Sequence, residues 1–168
     1  MVENDDIFYM RQALELARLA AEQDEVPVGA VIVADGRVVG SGYNCRESGR
    51  DATLHAEMIA IRAACAEMGG WRLPRSTIYV SLEPCPMCAG AMVQARVERL
   101  VYAAPDPKAG AAGTLLDIVR CPELNHQLEV TGGVLAEEAA ALLRRFFAAK
   151  RQPAGDFNSE LDMDFRGL

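Results

Sequence analysis

Histidine and tryptophan are scarce in this chain, basic charge is outnumbered, and long apolar runs are missing. Two histidines, His55 and His126, and a single tryptophan stand among 168 residues, so a site that needs imidazole has almost no choice of residue. No uninterrupted apolar stretch approaches the ~20 residues that a membrane-spanning helix requires. Met1 to Asp6 carries three acidic groups and no basic one, and no apolar core of a signal peptide follows, so a secretory signal is not expected. A soluble, cytoplasmic protein with no membrane partner is the expectation. The five cysteines, Cys45, Cys65, Cys85, Cys88 and Cys121, are odd in number, which argues against a disulfide framework and frees some thiols for metal binding or core packing. Lys and Arg total 17 against 24 Asp and Glu, for a net charge of −7 and a pI near 4.9. That balance disfavours non-specific binding to a polyanion. One late cluster, Arg144, Arg145, Lys150 and Arg151, runs against it. It reads equally well as the solvated end of a helix, where cations suit the dipole, and as a nucleic-acid contact.

What is present is ordinary globular composition, 51% apolar and 24% charged, enough for one domain with its own core. Residues 1–150 read as that domain and 151–168, with Pro153 and Gly155 and no period, as a loose tail. Ile7 to Gln23 has apolar residues at three- and four-residue spacing and predicts a helix. Val26 to Val33 is rich in β-branched residues and predicts a buried strand. An Asp35-Gly36 turn then leads to a second strand over Val38 to Tyr43. Asn44 to Thr53 is polar and aperiodic, a loop. Helices follow over His55 to Met68, closed by Gly69-Gly70, and over Pro86 to Arg96, where Pro86 suits the first turn. Strands are expected at Thr77 to Ser81, Arg99 to Ala103 and Leu128 to Val130, a short helix at Leu115 to Val119, and a long one at Ala136 to Lys150. This alternation implies an α/β fold: a three-layer α/β/α sandwich around a mixed, roughly five-stranded sheet.

Two short segments carry chemistry. In Pro84-Cys85-Pro86-Met87-Cys88 the two thiols are three positions apart at a helix start, so they share a face. The free amides there favour thiolate, the form that binds metal. No second C-x-x-C exists, so a closed four-cysteine site is not expected. In His55-Ala56-Glu57, His55 supplies a third ligand. Glu57 lies about 200° around the helix from it, badly placed to chelate the same ion but able to reach the space beside it. Three protein ligands leave one position for water, the mark of catalytic zinc. Zinc lowers the pKa of bound water to about 7, and the acid beside it must take that proton and pass it on. H-x-E followed by P-C-x-x-C is the known signature of zinc base deaminases, matched here rather than derived.

With these residues in hand, the chain resembles the cytidine/deoxycytidylate deaminase superfamily and, within it, the bacterial tRNA-specific adenosine deaminases. The resemblance runs from about Ile7 to Phe147. It includes Glu25-Val26-Pro27-Val28-Gly29-Ala30-Val31, Gly42-Tyr43-Asn44, Thr53-Leu54-His55-Ala56-Glu57 and Leu82 to Met92. Asp106 to Gly113 with Leu116-Asp117, and Leu124-Asn125-His126, resemble the tRNA enzymes in particular. The resemblance implies a cytidine-deaminase-like fold and a homodimer with one Zn2+ per subunit. It implies conversion of the wobble adenosine of an arginine tRNA (anticodon ACG) to inosine, with the anticodon stem-loop as partner. By position, His55, Cys85 and Cys88 would hold zinc, and Glu57 would shuttle protons. The Ala56 amide would face the attacked centre, Asn44 would bond the flipped base or its ribose, and Val28 would pack on the base. Asp106, Lys108, Phe147 and Arg151 would contact neighbouring nucleotides. Plainer roles stand beside these: a turn cap for Asn44, strand core for Val28, a turn residue for Asp106, core or dimer contact for Phe147, loop ordering for Asn125 and His126. The segment Asp51-Ala52-Thr53-Leu54 departs from the family, which often has Pro at its second place and Ala at its fourth. Two other activities fit the motifs: a guanine or cytosine free-base deaminase of the same fold, and a non-catalytic zinc module with a fourth protein ligand.

Overall fold

The computed structural model describes residues 2–151, and the expected tail beyond Arg151 lies outside them. The elements run α1 (Val2–Glu22), β1 (Gly29–Ala34), β2 (Arg37–Tyr43), α2 (Arg46–Gly49), α3 (Ala56–Met68), β3 (Ser76–Leu82), α4 (Pro86–Ala95), β4 (Arg99–Ala104), β5 (Glu129–Gly132) and α5 (Ala136–Arg151). Five strands form one mixed sheet in the order β2-β1-β3-β4-β5. β1 pairs antiparallel with both β2 and β3, whereas β3, β4 and β5 run parallel. No helix among the described residues is long and apolar enough to cross a membrane.

The period of two along each strand builds the two apolar layers. Ala30, Ile32, Ile78, Val80 and Leu100 face α3 and α4, meeting Ala60, Ile61, Cys88 and Met92. Val31, Val33, Tyr79 and Val101 point the other way, onto Met10, Ala13 and Leu14 of α1 and Ala139 of α5. All six residues of β1 are buried, as a strand covered on both faces must be. The expected three-layer α/β/α sandwich is what forms. Asp35 and Gly36 both take positive φ, 49° and 74°, the requirement of a type I′ hairpin turn.

Glycine sets how closely α3 lies on the sheet. A Cβ at Gly40 would strike the Ala60 carbonyl oxygen, and one at Gly42 would come within 2.6 Å of the Ala56 carbonyl oxygen. Gly42→Ala must therefore push back the first turn of α3. Overpacking of this kind costs about 1–3 kcal/mol, and because that turn begins with Ala56 and Glu57, activity falls with stability. A lower melting temperature together with a lower turnover of the folded fraction is the expected result.

An ion pair ties the layers together. Asp6 of α1, 7% exposed at its side chain, receives two bonds from Arg99 of β4 at 2.8 Å each and one from the Tyr79 hydroxyl at 3.0 Å. Arg99 also donates to Thr131 of β5. Burial alone would raise the Asp6 carboxyl, but the Arg99 and Tyr79 bonds outweigh it and hold Asp6 below the usual range.

The structure corrects three expectations. β1 starts at Gly29 rather than Val26, because Pro27 has no N–H for the ladder and Val28 turns back to the Val26 carbonyl. The polar segment after Asn44 holds a short helix, α2. Leu115 to Val119 is not helical: Gly113 donates to the Leu116 carbonyl, and Ala112 bridges to Asp117, so the chain doubles back.

Candidate active site

His55 and Cys85 occupy the same structural position: each is the N-cap of its helix, α3 and α4 respectively. Neither uses its side chain to cap. Both side chains turn instead to one point, where Cys88, one turn into α4, joins them. The three donor atoms lie within 4.8 Å of one another, and each sulfur is 3.6 Å from His55 Nδ1. In a tetrahedral zinc site, with Zn–S of about 2.3 Å and Zn–N of about 2.0–2.1 Å, sulfur and nitrogen ligands stand about 3.6 Å apart. The donor set and its spacing therefore fit zinc. Among the described residues no fourth such donor joins the group, unlike a closed structural site.

The helix starts charge this spot. Their first N–H groups lack intrahelical acceptors and carry the positive end of the dipole, so the Ala56 amide is among the free donors here. The Cys85 thiol is held down at about 4, because Cys88 donates to it and His55 adds to the effect. The same bond, with burial and the nearby Glu57, pushes Cys88 up. His55 is raised in turn, first by its bond to Cys85. Glu57 is buried, 3% exposed, and burial pushes its carboxyl up to about 7.

The cluster opens on a cavity of about 210 Å³ at the carboxyl ends of β2, β3 and β4, where α/β folds place ligands. The cavity brings together His55, Ala56, Glu57 and Cys85 with Val28, Asn44 and Asp106. Phe147, 43% exposed, lines an adjoining cavity with Phe146, Lys150 and Arg46. Lys108 and Arg151 line neither. His126 donates through Nε2 to the Val97 carbonyl at 2.6 Å, ordering its loop.

Three residues at or behind the cavity wall escaped sequence reasoning. Arg46 lines both cavities. Glu25 and Glu83 are buried carboxylates, 0% and 2% exposed. Glu83 accepts from the backbone N–H of Asp106 at 3.0 Å, Ala112 at 3.0 Å and Thr114 at 3.1 Å. It thereby fixes the loop that carries Asp106. Burial would raise its carboxyl, but the Thr114 side chain together with these backbone bonds wins and lowers it. The available signal was a lone acid set against an apolar strand, as in Ser81-Leu82-Glu83-Pro84, where only a carboxylate with several donors is tolerated.

A mixed sheet of this order, with a His/Cys/Cys cluster and a buried carboxylate beside it, defines a hydrolytic deaminase, and residues 4–151 match the MafB19-like deaminase family. The chain is 47% identical over 147 residues to the tRNA-specific adenosine deaminase of Bacillus subtilis, covering 88% of this chain and 91% of that one. A solved structure from studies of A-to-I editing by tRNA:A34 deaminases at the wobble position is 45% identical. It superposes with a TM-score of 0.78, over 81% of this chain and 99% of that one. The guanine deaminase of Nitrosomonas europaea is more distant, at 29% identity and a TM-score of 0.74 over 83% of each chain. This chain belongs to the family of tRNA-specific adenosine deaminases.

Proposed function

We propose that the protein hydrolyses the wobble adenosine of a tRNA anticodon, that of an arginine tRNA reading ACG, to inosine. The buried Glu57 carboxylate beside a three-donor cluster with a fourth position open carries the hydrolytic chemistry, and the observation that carries the choice of substrate is the likeness, at 45–47% identity, to tRNA adenosine deaminases. His55, Cys85 and Cys88 hold zinc, one ion per subunit. Zinc bound there supplies the Lewis acid that lets water ionise near neutral pH. Glu57 takes one proton from the attacking water and delivers it to the ring nitrogen, where it stays, and then carries the second, from the hydroxyl formed at C6, to the amine as the C6–N bond breaks. Water and the adenine C6–NH2 thus become a C6 carbonyl and ammonia. The Ala56 amide faces the attacked carbon. Val28 and Asn44 border the base, and Asp106 and Lys108 meet the flanking nucleotides. Phe147 and Arg151 extend that surface along α5, next to Lys150 and Arg46, cations that pair with Asp24 and Glu47 in the free protein and can exchange those partners for phosphates. An anticodon loop presents unpaired bases, so extruding one costs little and a modest basic surface suffices.

Family resemblance also supports a homodimer working in the cytoplasm. Leu115 and Leu116, 58% and 48% exposed, offer apolar surface to a second copy, and light scattering at micromolar concentration should return twice the subunit mass. The activity is tested with a synthetic anticodon stem-loop carrying ACG. Digestion to nucleosides and mass spectrometry should show inosine from that RNA and no turnover of free guanine or cytosine. Turnover of a free base with no inosine from the RNA would make the protein a free-base deaminase instead.

A further inference from the structure

Glu25 has no part in the chemistry set out above, yet its carboxylate is fully buried, behind the cavity-lining Val26 and Asn44. It sits in the α1–β1 connection and reaches across to the segment after β2. Its Oε1 accepts from the Ser48 N–H at 2.7 Å and its Oε2 from the Glu47 N–H at 3.1 Å. These are the amides at the start of α2, whose own N-cap, Cys45, makes no capping bond. Glu25 does that work from a distant part of the chain.

The same Oε2 lies 3.5 Å from Asn44 Nδ2, which also donates to the Val26 carbonyl at 3.3 Å. Two acceptors on one side settle which way this amide faces, because a carboxamide oxygen turned toward them would meet only lone pairs. The Asn44 oxygen must point the other way. Among the described residues nothing donates to it, and yet no buried side-chain oxygen there lacks a partner. Asn44 lines the cavity, so its oxygen opens onto it.

We infer that Glu25 is a positioning residue, which locks Asn44 so that its carbonyl oxygen and not its amino group faces the substrate. This rests on reading Asn44 as a substrate contact. The cavity then presents an acceptor at that point and selects a ligand with an N–H or O–H donor there, such as a ribose hydroxyl or an exocyclic amine. Three donors converge on Glu25: two backbone amides and the Asn44 amino group. A carboxylate can accept from all three, whereas glutamine must turn its own NH2 onto one of them. The charge is thus required even though no cation is bonded to it.

Glu25→Gln, Asn44→Ala and the double variant test this on the ACG stem-loop, with metal content and melting temperature measured for each. Each single change should lower kcat/KM by at least about tenfold with metal retained. In the Asn44→Ala background, Glu25→Gln should cost less than about threefold more, since residues that act through one another are not additive. Additive losses, or full activity in Glu25→Gln, would overturn the inference while leaving the proposed activity intact. Full activity in Asn44→Ala would overturn the reading of Asn44 itself. If Glu25→Gln does not fold, the unaltered protein decides. The Asn44 side-chain amide signal, assigned by its loss in Asn44→Ala, should show a proton shifted downfield and slow to exchange. An amide pair exchanging as freely as one in solvent would overturn the inference.

Discussion

Glu57→Gln should bind zinc as the unaltered protein does and lose turnover by about 10²–10⁴-fold, the usual contribution of a positioned general acid–base. The substitution keeps the shape of the side chain and removes the group that accepts a proton. Zinc retention follows from the donor geometry, in which two sulfurs stand 3.6 Å from one imidazole nitrogen and Glu57 is not one of the three clustered donors. Fold retention follows from burial: a neutral amide in place of a carboxyl that burial already pushes up to about 7 adds no desolvation cost. The measurement is metal by mass spectrometry alongside inosine formation from the stem-loop. Loss of zinc together with activity would make Glu57 a ligand, and undiminished turnover would place the proton transfer elsewhere.

Arg99→Met should be the most destabilising of the substitutions considered, by about 3–5 kcal/mol, because it strands a buried carboxylate without its cation. For a domain of this size that is a fall of roughly 6–20 °C in melting temperature. The methionine keeps much of the packing volume, so the loss reports the charge and not a cavity. Its pH dependence is fixed by Asp6, whose carboxyl is held low in the folded state. A depressed carboxylate contributes stability that is present above its unfolded pKa of about 3.9 and lost as pH falls through the folded value. The gap between the unaltered protein and Arg99→Met should therefore be widest near neutral pH and close toward pH 3. A gap that stays constant down to pH 3 would show that the charge pair is not its source.

The strands, the long helices and the His55, Cys85 and Cys88 cluster were legible because each depends on local pattern. The β-branched run of β1, the Asp35-Gly36 turn, and two motifs at helix starts are all readable within a few residues. What escaped was non-local. Leu115 to Val119 has the apolar content of a helix turn, but the fold uses it as a doubled-back loop whose neighbouring amides are claimed by Glu83, 29 and 31 residues away. α2 is too short to announce itself and owes its cap to Glu25, which no window around Arg46 contains. Arg46 itself looked like one charge among many. Only the closing of the α5 end against the α1–β1 connection gives it a place between two cavities.

Glu25 and Glu83 each grip their loop by main-chain N–H groups, and main chain is the same whatever residue carries it. The walls of the cavity are therefore anchored from the inside while their outward side chains stay free to change. Arg46, Lys108 and Ala109 can be exchanged for almost any residue, and the loops should keep their course. Proline, which has no N–H to offer, is barred at 47, 48, 106, 112 and 114, and at 112 burial against the core also excludes a large side chain. For anyone redesigning which nucleic acid this scaffold accepts, those two acids mark what to leave alone, and the side chains around them are the editable alphabet.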